Sequence, residues 1–297
     1  MNIVILMATY NGEKYITEQL KSIQNQTVVN WNLYIRDDGS VDNTVSIIKK
    51  YVEKDSRIHL IEDGKGNLGP LKNFNELLNI GINSDIIFLA DQDDIWFLNK
   101  IEISVEELTK IENPLKLIYT NFNNWYPEKK LQIKSYKQSN PDYKNLVWQN
   151  WIYGCTMCFS KELALLCLEI PLVAENHDNW IANVASLYGE IGYISSPTLN
   201  HRIHDNNVTT SSENLLGQYF KFLKRTLFSK DKFKKNKLSF IKKLIQIDEE
   251  TSKKNIDIIL AKKILDEGGV MSAYRFKKNN FQAYSRLQSL LILLCII

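Results

Sequence analysis

Residues 1–90 alternate between short apolar runs and stretches in which apolar residues recur every three or four positions. The short runs, flanked by turn residues, predict buried strands, and the second spacing predicts helices with one apolar face. The predicted strands are Ile3–Leu6, Trp31–Ile35, Arg57–Ile61 and Asp85–Ala90; the predicted helices are Tyr15–Gln24, a segment with Ile47, Ile48 and Tyr51, and Leu71–Leu78. This alternation predicts an α/β fold with a parallel sheet covered by helices.

Polar turns follow these strands at the edge where open α/β sheets bind their ligands. Asn11 and Gly12 follow the first strand, Asp37–Thr44 follows the second, and Asp91–Asp94 follows the fourth. Another turn, Asn67–Pro70, precedes the third helix. Any binding site of this sheet is therefore expected to include side chains from these segments.

The remainder of the chain divides into an aromatic region and a basic one. Residues 115–212 are less regular and rich in Trp and Tyr, whereas the chain becomes basic and helical beyond residue 213. Residues 1–212 carry 19 Lys and Arg against 26 Asp and Glu, and residues 213–297 carry 18 against 8, although the net charge of the whole chain is only +3. This asymmetry predicts that the tail meets an anionic surface. The alternative is that it packs as helices on the first domain or on a second subunit.

Cysteine usage and hydropathy indicate an intracellular globular protein. No apolar run approaches the length of a membrane-spanning helix, and the apolar N-terminus lacks the basic residues of a signal peptide. Cys155 and Cys158 form a C-x-x-C pair, but neither Cys167 nor Cys295 supplies a second pair, and no nearby His completes a zinc set. We interpret these residues as small buried thiols, which fits a reducing cytoplasm.

Two acidic clusters are the first candidates for chemistry. Asp91, Asp93 and Asp94 end a buried strand, where their mutual repulsion is costly unless a cation compensates it. Oxygen ligands of this kind suit Mg²⁺ or Mn²⁺, which also bind phosphate oxygens. Asp37 and Asp38 end the second strand and could accept hydrogen bonds from a ribose or a base. A solvated turn or a helix cap is the alternative for both clusters.

Two further segments carry His beside other functional side chains. In His177–Trp180, Asp178 opens a helical stretch and could act as a general base, or it could simply cap the helix. In His201–Asn207, His204 could be a metal ligand and Arg202 could pair with a phosphate, unless both are solvated surface residues.

Taken in order, these segments resemble glycosyltransferase family 2, the inverting nucleotide-sugar enzymes with the GT-A fold. The resemblance covers about residues 1–210 and rests on Met7–Gly12, Ser22–Thr27, Asp37–Thr44, Asn67–Gly69, Asp91–Trp96, Gly154–Met157 and His177–Trp180. It implies a GT-A-type, Rossmann-like fold with a mostly parallel sheet flanked by helices and a C-terminal helical extension. The implied domains are a glycosyltransferase domain over 1–212, with a nucleotide-binding half to about residue 110 and an acceptor-binding half beyond it, and a basic, mainly helical region over 213–297.

The resemblance also implies a role for each matching position. The nucleotide-binding set is Thr9, Tyr10, Asn11, Asp38, Asn67, Lys72 and Asp91, within which Tyr10 and Asp38 would hold the base. Asp93 and His204 would bind Mn²⁺ or Mg²⁺, and Asp178 would be the general base. The set that contacts the donor sugar and the acceptor is Asp94, Gly154, Cys155, His177, Trp180 and Arg202.

His177 departs from the Glu that many members carry before the base, and the resulting His-Asp pair resembles a subgroup often assigned as rhamnosyltransferases. The implied function is transfer from a nucleotide sugar, with dTDP-rhamnose expected, to a saccharide or lipid-linked saccharide in cell-surface polysaccharide assembly. The expected location is the cytoplasm, with peripheral contact to the inner face of the membrane through 213–297.

Other functions remain open at this point. A UDP-hexose donor is an alternative, and so is a non-catalytic nucleotide-sugar binding module, although such a module is expected to have lost Asp93 or Asp178. A nucleotidyltransferase would need a basic phosphate loop after the first strand, and Lys14 is the first cation there. The acidic body argues against a nucleic-acid partner.

Overall fold

The computed structural model describes residues 1–129, 131–134, 141–204, 230–251, 255–282, 289–290 and 292–293. Its first part is the predicted alternation of strands and helices. The elements are β1 (Ile3–Thr9), α1 (Ile16–Gln24), β2 (Trp31–Asp37), α2 (Thr44–Val52), β3 (Ile58–Ile61), α3 (Pro70–Gly81) and β4 (Ile86–Ala90). The four strands are parallel and lie in the order β3-β2-β1-β4. The predicted α/β class is confirmed.

The second part extends the same sheet with strands of mixed direction. Its elements are β5 (Ile95–Trp96), α4 (Lys100–Thr109), β6 (Lys116–Tyr126), β7 (Leu131–Lys134), α5 (Tyr143–Leu146), β8 (Met157–Ser160), α6 (Lys161–Leu166), α7 (His177–Tyr188) and β9 (Glu190–Arg202). Beyond β4 the order is β8-β6-β9-β5, and β7 pairs with β6. Strand β8 runs antiparallel to both of its neighbours and so joins the two parts.

Strands β6 and β9 lie in the region that the sequence predicts to be less regular. They have 11 and 13 residues and pair in parallel. Their pairing has register shifts around Asn121, and β9 contains Pro197 at one of them. A bulge resets which side chains face the core, and proline is tolerated in a sheet at such places. The apolar alternation that identifies a strand in a sequence is therefore interrupted.

Helices cover both faces of the sheet because its central strands are apolar on both sides. In β1, Val4 and Leu6 belong to one buried cluster together with apolar side chains of α3, α6 and α7. Ile3, Ile5 and Met7 belong to the other, with side chains of α1, α2 and α4. The sheet is thus the middle of three layers, and its carboxyl edge is left for ligands.

The tail forms helices α8 (Lys230–Thr251), α9 (Ile256–Glu267) and α10 (Gly269–Lys278). They pack against the sheet domain, since Phe240 and Leu244 are buried in the same cluster as α7. The ring of Phe240 meets that of Trp180 edge-on at 5.6 Å, and Tyr188 Oη donates to the Leu244 carbonyl oxygen at 3.0 Å. These contacts match the alternative stated for the tail, that it packs as helices on the first domain. The boundary predicted between residues 212 and 213 lies outside the described residues and stays a prediction.

Two further observations concern the apolar C-terminal run of the sequence, 290–297, and the cysteines. Ile292 and Leu293, within the apolar C-terminal run, are buried in the cluster that contains α8. Cys155, Cys158 and Cys167 are free and buried, as expected for core thiols, and Cys295 lies outside the described residues. None of the helices in the described ranges combines the length and apolar character that crossing a membrane requires.

Candidate active site

A cavity of about 690 Å³ lies at the carboxyl ends of β1, β2 and β4. It brings together most of the predicted nucleotide-binding and metal-binding side chains. The predicted residues that line it are Thr9, Tyr10, Asn11, Asp38, Asn67, Asp91, Asp93 and His204. Other lining residues were not predicted, among them Tyr15, Asn73, Gln92 and His201.

The turn after β1 is locked to its neighbours through polar side chains. Asn11 has φ 47°, in the left-handed region that asparagine tolerates better than most residues. Its Oδ1 accepts from Val41 N at 2.9 Å, and its own N donates to Ser40 Oγ at 2.8 Å. Gln92 bonds both the N and the O of Tyr10 at 2.9 Å. The Tyr10 side chain stays half exposed at the cavity rim, where it can stack on a ligand ring.

Asp38 is buried and links the end of β2 to the turn before α3. Its carboxylate accepts from Arg36 Nη1 at 3.0 Å, from Leu68 N at 2.7 Å and from Gly69 N at 2.8 Å. Gly69 has φ 79°, a conformation that favours glycine. Arg36, which was not predicted, also binds the Asp63 carboxylate at 2.8 Å. Asn67 is held at the cavity wall as a result.

The acidic run after β4 forms two carboxylate–histidine pairs. Asp93 Oδ2 and His204 Nε2 lie 2.8 Å apart, and the His204 ring stacks on Tyr15 at 4.7 Å. Asp94 Oδ1 and His201 Nδ1 also lie 2.8 Å apart. Burial alone would lower the pKa of His201, but the Asp94 carboxylate raises it above its ordinary value.

The side chains of the acidic run after β4 offer ligand atoms that suit a hard divalent cation. Burial raises the pKa of Asp91, and the nearby carboxylates of Asp94 and Asp93 raise it further. A bound cation would relieve that repulsion. Ligand atoms of Asp91, Asp94, Cys155 and His201 all lie within 4.8 Å of one another. Burial and the neighbouring carboxylates hold the pKa of the Cys155 thiol well above its ordinary value, so carboxylates and imidazoles remain as the usable donors.

A second pocket of about 280 Å³ adjoins the first. The two pockets share the lining residues Gly69, Pro70, Phe74, Asp91 and His201. The second pocket also contains Gly154, Cys155, His177 and Asp178, to which the resemblance assigns catalysis and contacts with the sugar and the acceptor. Lys72, expected to bind the nucleotide, lines this second pocket and is absent from the described lining of the first.

Asp178 lies in the wall of the second pocket, in the first turn of α7. Its two oxygens accept from Gly154 N and from Asn150 Nδ2, each at 3.2 Å. Burial raises the pKa of its carboxyl to about 6, and these hydrogen bonds oppose the rise. A carboxylate of this kind is ionised at neutral pH yet close enough in pKa to accept a proton from a substrate.

His177 is packed between two elements of the same wall. Its ring stacks on Phe74 with centroids 3.7 Å apart. Burial lowers its pKa to about 3, so the ring is neutral near pH 7. A Cβ on Gly154 would lie 2.4 Å from His177 Nε2, so this approach requires glycine at 154.

Three predicted site residues lie outside both described linings. The Trp180 ring is buried in the core, where Nε1 donates to the Cys167 carbonyl oxygen at 3.0 Å. Asp94 is fully buried and contacts the site through His201. Arg202 bonds Glu18 and the Asp93 carbonyl oxygen, and its guanidinium lies 4.3 Å from the ring centre of Trp125.

The model of the family described as glycosyl transferase family 2 matches residues 4–163. The dTDP-rhamnosyl transferase RfbG of Shigella flexneri is 31% identical over 226 residues, which cover 72% of this chain and 76% of RfbG. The Escherichia coli enzyme WfgD, named as a UDP-Glc:alpha-D-GlcNAc-diphosphoundecaprenol beta-1,3-glucosyltransferase, is 37% identical over 120 residues, 40% of this chain and 44% of WfgD.

Solved structures resemble the whole fold at low identity. A structure of S. aureus TarS in complex with UDP-GlcNAc matches with a TM-score of 0.56 and 16% identity, over 98% of this chain and 86% of that one. The match spans 52% of a longer TarS chain. At this identity the likeness concerns the fold, and it includes the C-terminal helices because nearly all of this chain is covered.

Proposed function

This chain belongs to glycosyl transferase family 2, and we propose that it is an inverting transferase that moves a sugar from a nucleoside-diphosphate sugar to an acceptor hydroxyl. The observation that carries the proposal is the Asp178 carboxylate. It lines the smaller pocket, which shares Asp91 and His201 with the larger one. A nucleotide in the larger cavity would therefore present its sugar next to a carboxylate able to act as a base.

The expected donor is dTDP-rhamnose. RfbG, whose name assigns it that class of donor, supports this choice through its identity over most of both chains. A UDP-hexose is the second candidate because WfgD is named for UDP-Glc. The acceptor is expected to be a saccharide or a lipid-linked saccharide, and the name of WfgD, which specifies a diphosphoundecaprenol-linked sugar, favours the lipid-linked form.

The reaction is a single displacement. An Asp178 oxygen accepts the proton of the acceptor hydroxyl while that oxygen forms a bond to the anomeric carbon. The bond from that carbon to the diphosphate oxygen breaks on the opposite face, and the nucleoside diphosphate leaves with the electron pair. One displacement inverts the anomeric centre. The Gly154 N–H and the Asn150 amide hold the carboxylate through both of its oxygens.

Asp93 and His204 would hold a divalent Mn²⁺ or Mg²⁺ ion, next to Asp91. Bound there, the ion would supply positive charge to the diphosphate oxygens as the nucleotide leaves. Tyr10 is expected to stack on the base of the nucleotide. Asp38 is expected to act through the Asn67 turn as well as through any hydrogen bond of its own, because three of its contacts are already made within the protein.

A release assay against a panel of nucleotide sugars, with Mn²⁺ or Mg²⁺, tests the proposal. We expect nucleoside diphosphate release from one donor, and Asp93→Ala should abolish the metal-dependent release and weaken nucleoside-diphosphate affinity. Asp266→Ala, which removes an exposed carboxylate of α9, is the matched control and should behave as wild type. Full activity of Asp93→Ala in EDTA would refute the metal role. Tight donor binding without turnover, in the presence of an acceptor extract, would favour a binding module.

We also propose that the basic C-terminal region makes peripheral contact with anionic membrane. Because Phe240 and Leu244 face the protein core, the surface for such contact would be the exposed stripe Val270, Met271 and Tyr274 of α10. Lys277 and Lys278 follow it, and a basic residue near an anionic surface adds about 1 kcal/mol of attraction. Co-sedimentation with anionic liposomes should fall with salt and with a Val270→Ser/Met271→Ser/Tyr274→Ser variant. Equal recovery of both proteins in the supernatant would reject the contact.

A further inference from the structure

We propose that Asn150 is a positioning residue for Asp178, whose amide group holds the carboxylate in one orientation and in its ionised form. The inference rests on the proposed role of Asp178 as the base and extends it to a residue that no motif of the sequence marks. It assigns a purpose to the segment between α5 and β8, which passes beside the start of α7.

The hydrogen bonds of Asn150 fix which end of its amide faces Asp178. Asn150 Oδ1 accepts from Ile152 N at 3.0 Å, so the oxygen must face that N–H group. Nδ2 then donates to the Ile152 carbonyl oxygen at 2.9 Å and to Asp178 Oδ1 at 3.2 Å. In a flipped amide, the Asn150 oxygen would face two acceptors, the Ile152 carbonyl oxygen and the Asp178 carboxylate. The Asn150 NH₂ group would then face a donor, the Ile152 N–H. The donor toward Asp178 is therefore determined by the backbone of Ile152.

The donors to Asp178 are neutral groups. Asn150 Nδ2 supports one oxygen and Gly154 N supports the other, and both bonds favour the ionised form. Within the described residues no salt bridge to Asp178 is formed, so its charge depends on these dipoles and on the start of α7. The titratable groups that surround Asp178 or line the same pocket are Glu175 and Asp91, whose negative charge disfavours ionisation, neutral His177, and Lys72, Tyr153, Cys155 and His201.

The C-terminal helices hold the segment that carries Asn150. The Trp148 ring lies 5.2 Å from that of Phe276 in α10 and 6.0 Å from that of Phe281. Lys144 pairs with Asp257 of α9 at 3.5 Å. These contacts fix the chain two to six residues before Asn150. The tail therefore contributes to the geometry of the site without lining either pocket.

The test compares Asn150→Ala and Asn150→Asp with a matched control, Asn79→Ala. Asn79 is an exposed helix residue whose amide bonds only the Asn75 carbonyl oxygen among the described contacts. Asn150→Asp keeps an acceptor for Ile152 N, so it preserves the turn while it removes the donor to Asp178. The first measurement is the pKa of the Asp178 carboxyl by carbon NMR in each purified full-length variant.

We expect the Asp178 pKa to rise by about one unit in Asn150→Ala, because a hydrogen bond to a charged group is lost, and to rise more in Asn150→Asp. The second measurement, transfer against pH, should show kcat/KM reduced about tenfold near pH 5 and by less than about twofold at pH 8.5 in Asn150→Ala, with donor KM unchanged. The control should match wild type in both.

An unchanged Asp178 pKa, or an equal loss of activity at every pH, would overturn the inference and leave Asn150 a structural residue. Failure of the proposed function has a different signature. If Asp178→Asn kept full transfer, Asp178 would not be the base, and the NMR titration would still report whether Asn150 holds its carboxylate.

Discussion

The two walls of the candidate active site hold their buried carboxylates differently. On the wall formed by the parallel strands, Asp38 bonds two backbone N–H groups and the Arg36 guanidinium. On the wall formed after β6, Asp178 bonds one backbone N–H group and a neutral amide. Both side chains are almost fully buried, with 4% and 8% exposure. They differ in whether a cation balances the charge.

This difference bears on the role that we propose for Asp178. The Asp38 carboxylate is paired with the Arg36 guanidinium and holds the backbone N–H groups of Leu68 and Gly69. Without a cation, burial raises the pKa of Asp178 to about 6 and leaves it able to exchange a proton near neutral pH. Under the proposed function, an aspartate holds backbone on one wall and an aspartate serves as the base on the other.

Removal of Arg36 should produce the largest effect, because it turns Asp38 into an uncompensated buried charge. Arg36→Ala is expected to lower the free energy of unfolding by about 3–5 kcal/mol, as measured by urea denaturation. Donor affinity should fall as well, because the turn at Asn67 loses its clamp. The double variant Arg36→Ala/Asp38→Asn should recover part of the stability, since the unpaired charge is gone.

Lys110→Ala is the control for this prediction, because it removes a cation from an exposed pair with Glu107. It should leave the unfolding curve unchanged, as exposed ion pairs contribute little. An Arg36→Ala protein as stable as the Lys110→Ala protein would show that Asp38 does not need its cation, and the contrast between the walls would fail.

Asp178→Asn is expected to lower transfer by at least about a hundredfold while donor affinity stays the same. The amide cannot accept the acceptor proton, yet it keeps the shape of the side chain. Single-turnover transfer and donor binding by calorimetry separate the two effects. Asp142→Asn is the matched control, because Asn caps α5 as well as Asp does. Weaker donor binding with unchanged turnover of bound donor would make Asp178 a binding residue.

The sequence predicted the parallel wall well for a physical reason. Strands β1 and β4 are nearly continuous apolar runs, β2 alternates, and a polar turn directly follows each of them. The sequence therefore places Tyr10, Asp38 and Asp91 at one edge, where the structure has them. The unpredicted member, Arg36, stands directly before Asp37 and Asp38, and a cation beside two acids on a buried strand was the available signal.

The other wall was predicted only in part, because long-range packing assembles it. Asp178 and Gly154 belong to motifs, but Asn150 lies between Trp148 and Trp151 in a segment that carries no motif. The sequence assigns no role to His201, because the strand that carries it is irregular and its partner Asp94 is 107 residues away. Neither pairing has a local signature.

The pH dependence of transfer tests the difference between Asp178 and Asp38 without any substitution. Asp178 must be ionised to accept a proton, and burial raises its pKa to about 6. Transfer should therefore be constant above about pH 7 and fall about tenfold per unit below the pKa. Because burial disfavours the charged form, protonated Asp178 stabilises the folded state relative to ionised Asp178. This stabilisation is complete below the unfolded pKa of about 4 and is lost as pH rises through about 6. The measurement is kcat/KM for the acceptor between pH 5 and pH 9, with thermal melting at each pH to exclude unfolding. An activity plateau that persists to pH 5 would mean that a group other than Asp178 accepts the proton of the acceptor hydroxyl. The distinction between Asp178 and Asp38 would then fail.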